Sequence, residues 1–189
     1  QTILTRAADP SAGAGTPFAC DCDGNATVEL GKYIASSSLV FADLNNNGSW
    51  DGNAGGDFAT GFAAGAGSGE FVVADLSGSN GADIAKYYDD LGGNDLFQVD
   101  ANNNRVWDGV GGGDRVVFIA PGVGAGTPCA IDPDGDGTSV PCKTVSGTQV
   151  FADLNNNGSW DGNAGGDLAS GFAVGAGSGT FVVREAPSP

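Results

Sequence analysis

Oxygen-bearing side chains occupy every second place in three stretches of this chain. The first has Asp43, Asn45, Asn47 and Asp51, with the backbone carbonyl of Ser49 at the seventh place. The second has Asp100, Asn102, Asn104 and Asp108, with the carbonyl of Val106. The third has Asp153, Asn155, Asn157 and Asp161, with the carbonyl of Ser159. Alternate residues of a tight loop point inward, and a cage of roughly six to eight hard oxygens is what calcium takes. Gly48 and Gly158 stand at the sixth place, where the chain must bend and φ turns positive. The second stretch has Arg105 there instead. The bidentate Glu expected at the twelfth place is missing, since Ala54, Gly111 and Ala164 stand there. Asp57, Asp114 and Asp167, three residues further on, are the natural substitutes, reached through a glycine-rich bend. An Asn/Asp/Gly turn that bonds to itself would explain the composition. It would not explain alternation held in three copies.

Three shorter stretches have related spacing. Asp132, Asp134 and Asp136 with Gly137 spell DxDxDG, although the ninth place holds Val140. Asp21, Asp23 and Asn25, with the carbonyl of Thr27 and with Glu29, keep the spacing without the glycine. Asp75, Ser77, Ser79 and Asp83 keep it with few charges. The expectation is therefore Ca2+ at three sites, and at up to five. Trp50, Trp107 and Trp160 all occupy the eighth place of a longer loop, which suits rings that pin each loop to a core. Asn25, Asn47 and Asn157 open glycan acceptor patterns, but a glycan on Asn47 or Asn157 would compete with the ion.

The elements that must position these loops repeat with them. Residues 41–57 and 151–167 are identical, and the match extends over 41–73 and 151–183 with four differences. "GAGTP" at 13–17 returns at 124–128, and residues 1–17 align with 112–128. The expected organisation is an N-terminal strand over 1–12, open to donation to a neighbouring subunit; a first repeat unit over 13–123 with two related halves; and a second, incomplete unit over 124–189. The second unit lacks a counterpart of 74–123, including the strand at 115–120 that the N-terminal segment copies. The runs "SSSLVFADL", "EFVVADL", "DLFQVD", "DRVVFIA", "GTQVFADL" and "GTFVVRE" read as short strands between Gly, Asn and Asp. "GFAAGAGSGEFVV" reads as strand, turn, strand. Residues 81–92 and 28–35 are the helix candidates. The expected fold is all-β, with tandem β-sandwich-like repeats and little helix.

Composition bounds the function. The chain of 189 residues has 23 Asp plus Glu against 7 Lys plus Arg, a formal charge of −16. That repels nucleic acid and anionic membrane, and no apolar run approaches the ~20 residues of a membrane span. With no His, a Ser or Cys nucleophile lacks its usual base, and a zinc site is a poor reading of the cysteines. No catalysis is expected. Disulfides among Cys20, Cys22, Cys129 and Cys142 suit an exported protein. Cys129–Cys142 closes a short loop easily; Cys20–Cys22 is tight, which leaves cross-pairing and an intermolecular bond open. Lys32, Lys86 and Lys143 lie near Asn and Asp, which leaves room for an amide bond between side chains.

The string "VFADLNNNGSWDGNAGGD" resembles the opening of serine–aspartate-repeat B-type modules of bacterial surface proteins, and its loop chemistry is similar to dockerin and thrombospondin type 3 repeats. The resemblance covers the three loops and the strand before each. It implies a calcium-stiffened β-sandwich on a prokaryotic cell surface, with ligand roles for Asp43, Asn45, Asn47, Asp51 and their equivalents. The chain departs from the pattern after the loop, where Asp57 replaces the Glu. The functional expectation is a structural subunit of an extracellular filament or stalk, assembling head to tail with copies of itself. The alternative is a calcium-dependent adhesin or carbohydrate binder that uses Trp or Tyr33, Tyr87 and Tyr88.

Overall fold

Short β-branched and aromatic runs separated by Asp/Gly turns favour antiparallel neighbours joined by tight loops. The computed structural model describes residues 13–171 apart from 64, 66–68, 80, 90–92 and 94. The segment 1–12 and the run 179–185 lie outside them.

The fold is all-β, built from three antiparallel meanders of four strands. The first sheet holds β1 (Thr16–Cys20), β2 (Glu29–Ile34), β3 (Leu39–Ala42) and β4 (Phe58–Gly61). The second holds β5 (Glu70–Ala74), β6 (Asp83–Asp89), β7 (Asp95–Val99) and β8 (Arg115–Phe118). The third holds β9 (Thr127–Ile131), β10 (Val140–Val145), β11 (Gln149–Ala152) and β12 (Leu168–Gly171). In each, neighbours in space follow chain order. A shorter acidic loop joins strands one and two, and a longer one joins strands three and four. The offset of 110 residues between the identical stretches thus spans two sheets. No sheet is short of a strand among the described residues, because β12 stands in the third where β4 and β8 stand in the others.

Alternation along each strand gives every sheet two faces. Val40, Ala42 and Phe58 of the first sheet, with Phe18 and Tyr33, meet Phe71, Ile84, Val73 and Trp107 of the second. The second sheet turns Ala85, Tyr87, Phe97, Val99 and Val117 the other way, onto Val145, Phe151 and Trp160 of the third. Val140, Cys142 and Ala152, with Ile131, Leu154 and Leu168, gather on the far face of the third sheet. The cysteines pair as Cys20–Cys22 and as Cys129–Cys142, the latter across directly opposed positions of β9 and β10.

Three expectations change. Residues 83–89 and 29–34 are strands β6 and β2, not helix. β6 lies inside the stack, so Ile84 and Lys86 on one face are as buried as Asp83, Ala85 and Tyr87 on the other. A strand covered on both faces loses the polar alternation that marks a strand in sequence. The run "GFAAGAGSGEFVV" does not form a hairpin: β4 closes the first sheet and β5 opens the second.

Gly31 marks a close approach in β2. A Cβ there would stand 2.5 Å from the carbonyl oxygen of Phe41 and inside the Phe18 ring. Gly31→Ala should lower stability by about 1–3 kcal/mol, read as an earlier urea midpoint with an unchanged slope.

Candidate metal centres

The three longer loops fold alike. The first Asp accepts the N–H of the fifth residue on Oδ1 and that of the sixth on Oδ2. The distances are 3.2 and 2.8 Å for Asp43, 3.0 and 2.6 Å for Asp100, and 3.2 and 2.9 Å for Asp153. Asn45, Asn102 and Asn155 accept the same fifth N–H, and their amides reach the carbonyls of Gly55, Gly112 and Gly165. Asn47, Asn104 and Asn157 accept from the N–H of Ser49, Val106 and Ser159, and their Nδ2 donates to Asp51, Asp108 and Asp161.

Arg105 takes the bend that glycine takes elsewhere. Its φ is 68°, against 82° for Gly48 and Gly158. Its guanidinium lies 4.7 Å from the centre of the Phe58 ring on the first sheet, an attraction that offsets the strain of a left-handed arginine. Asn46, Asn103 and Asn156 at the fourth place are left-handed too. Sequence reasoning passed over them, although Asn is the non-glycine residue that tolerates this region best.

A turn of 3-10 helix follows in each loop, at Asn53–Gly55, Val110–Gly112 and Asn163–Gly165. It carries the chain back so that Asp57, Asp114 and Asp167 arrive beside the ninth residue. Their Oδ2 atoms accept the N–H of Asp51, Asp108 and Asp161. Their Oδ1 atoms are buried with no hydrogen-bond partner in all three loops, and the residues are only 3, 4 and 4% exposed. A buried carboxylate oxygen left without a partner costs free energy unless a cation takes it.

The shorter loops repeat the device in part. Asp21 accepts from the N–H of Asn25 and Ala26, Asp75 from Gly78 and Ser79, and Asp132 from Gly135 and Gly137. Carboxylate oxygens of Asp21, Asp23 and Glu29 lie within 4.8 Å of one another, as do those of Asp132, Asp134 and Asp136, so each group could hold a metal ion. Asn25 keeps its place in the first group, with Oδ1 on the N–H of Thr27 and Nδ2 on Asp23. Glu29 is fully buried and accepts the N–H of Cys22 at 2.8 Å. Asp83 does the same for Leu76. In the third sheet the matching donor is Pro133, which has no N–H, and the matching acid is Val140. Donor and acceptor are lost together, so no buried group is orphaned.

The tryptophans pack edge-on against phenylalanines: Trp50 on Phe41, Trp107 on Phe62, Trp160 on Phe151. Tyr33 packs on Phe71 and Tyr87 on Phe97, inside the stack.

Burial pushes the carboxyls of Asp83 and Asp100 up to about 6, and raises those of Glu29, Asp114 and Asp153. An acid whose folded pKa exceeds its unfolded value near 3.8 binds protons better when folded. Its contribution is full below that value and is lost as pH rises through about 6. In excess chelator, the urea midpoint should therefore fall between about pH 4 and about pH 7. A flat or rising profile would contradict the burial of these groups.

Comparison with known protein families, with curated proteins and with solved structures finds no match to this chain.

Proposed function

We propose that the protein is a calcium-stiffened structural subunit that stacks head to tail into an extracellular filament. What supports calcium is the triplicate set of orphaned carboxylate oxygens on Asp57, Asp114 and Asp167. The sequence puts Asp, Asn and a carbonyl at every second place of the same loops, the spacing a hard cation takes. The two acidic groups in the shorter loops are the further candidates. The paired cysteines suit an oxidising, extracellular setting, where sites of ~10⁻⁴ to 10⁻³ M affinity fill.

The observation that carries assembly is an interface made twice inside the chain. Between the first and second sheets, Ala82 N–H donates to the Asp21 carbonyl, and Lys86 Nζ donates to the Ala63 carbonyl and to Ser38. Between the second and third, Ser139 N–H donates to the Asp75 carbonyl, and Lys143 Nζ to the Ala120 carbonyl. The second and third of the longer loops also rest on the preceding sheet: the Arg105 carbonyl accepts from Thr60, and the Gly158 carbonyl from Phe118 N–H. The outer faces of the first and third sheets carry the two halves of this joint. Val28 is 61% exposed, whereas Ala82 and Ser139, its equivalents at the internal joints, are 9% and 2% exposed. Leu30 is 38% exposed and its equivalent Ile84 is 3% exposed. A face built to be covered, facing a complementary face at the other end, makes an open, heterologous contact. In this reading segment 1–12, which precedes β1 in the sequence, crosses the joint by strand addition.

Two measurements test the reading. Chelation should lower the melting temperature and shift Trp fluorescence, and Asp57→Ala should remove one bound calcium by elemental analysis; unchanged melting with no bound metal would refute the calcium reading. Leu30→Arg or Ser170→Arg, one on each outer face, should leave the fold intact. Mixed in small amounts with the unaltered protein, each should shorten filaments seen by electron microscopy, because one sound face still adds to a growing end. Filaments of unaltered length would refute the stacking.

A further inference from the structure

Lys143 and Asp95 meet in the dry core between the second and third sheets. Lys143 Nζ contacts Asp95 Oδ2, and the two side chains are 0% and 2% exposed. Two carbonyl oxygens, of Ala120 and Gly124, each 3.1 Å away, also hold the amine. The other carboxyl oxygen, Oδ1, accepts the Tyr87 hydroxyl at 2.9 Å, and that hydroxyl is itself fixed by the N–H of Gly126 at 3.1 Å. Tyr87, Phe97, Ala120 and Phe151 around them belong to one apolar cluster.

We propose that these two side chains condense into an amide, a covalent bridge between β7 and β10. The equivalent place between the first and second sheets holds a lysine too. Lys86 is as buried, and its amine meets Ser38 Oγ at 2.7 Å where Lys143 meets Asp95. An ion pair this dry recovers its desolvation cost poorly. Amide formation removes both charges and releases the water to bulk.

The step balances without a cofactor. The ammonium passes a proton to the carboxylate, giving amine and acid. The amine nitrogen attacks Cγ of Asp95. Oδ1 gains negative charge, and the Tyr87 hydroxyl already points at it, as a donor aimed at a developing oxyanion should. A second proton from nitrogen leaves with Oδ2 as water. One C–N bond forms, one C–O bond breaks, and nothing is oxidised or reduced. The enclosure supplies proximity and keeps out the water that would reverse the reaction.

The test is the intact mass of the unfolded, reduced protein. It should be lower by one water than the sequence requires, and a tryptic digest should yield one branched peptide joining the segments of Asp95 and Lys143. The branched peptide separates this bond from a succinimide at an Asp-Gly step such as Asp51-Gly52. Lys143→Arg keeps the charge pair but should show the full mass. Tyr87→Phe should slow the loss of water during refolding while the fold forms. Full mass in the unaltered, folded protein, or ordinary linear peptides carrying Asp95 and Lys143, would overturn the proposal.

Discussion

Buried carboxylate is the constraint around which this protein is arranged. Asp43, Asp57, Asp100, Asp114, Asp153 and Asp167 are all between 0 and 4% exposed, in a chain with only 7 Lys plus Arg. Their charges are met first by backbone: each loop's first Asp takes two N–H groups, and its last takes one. Those bonds fix the loop, and the loop fixes the angle at which strand four returns beside strand three. The orphaned oxygens of Asp57, Asp114 and Asp167 are what remains after the backbone has done all it can. A dication at each loop would satisfy them and offset part of the formal net charge of −16.

The same loops serve packing. Each holds its tryptophan against a phenylalanine, and two of the three rings reach the core between sheets. Loop conformation and sheet stacking are thus coupled through Trp107 and Trp160. The repeated lysine follows from this geometry. Lys32, Lys86 and Lys143 hold one register in the second strand of each sheet, and Lys86 and Lys143 reach back to the same carbonyl of the sheet before, Ala63 or Ala120. Lys32 reaches Gly13, the counterpart of the Gly124 that Lys143 reaches.

Much of the loop geometry is legible in the sequence because oxygen-bearing side chains at every second place are a local property of one loop. The late arrival of Asp57, Asp114 and Asp167 is legible too, once the glycines after Asp51 are taken as a bend. Arg105 is harder: its left-handed backbone is stabilised by Phe58 on another sheet, and no spacing reveals a contact across 45 or more residues. The helix reading of 81–92 fails for a related reason. "DIAKYYD" shows no polar alternation because both its faces are covered, and only the third dimension says so. The repeat length is similarly masked, since the near-identity of the first and third sheets overshadows the diverged sheet between them.

Divergence between the copies is informative because it occurs in matched pairs. Pro133 removes a donor where Val140 removes its acceptor, and Arg105 replaces a glycine where Phe58 is there to receive it. Ser38 and Asp95 differ at the end of the repeated lysine, and each satisfies it differently. A repeat protein of this kind tolerates change wherever both sides of a contact change together. The outer face of the first sheet differs, since Val28 and Leu30 are exposed there while their equivalents Ala82, Ser139 and Ile84 are buried. Val28 and Leu30 have stayed apolar at positions where solvent alone would favour charge. In a chain this acidic, exposed apolar residues on a face whose equivalents are buried twice over are the observation on which the proposed stacking rests.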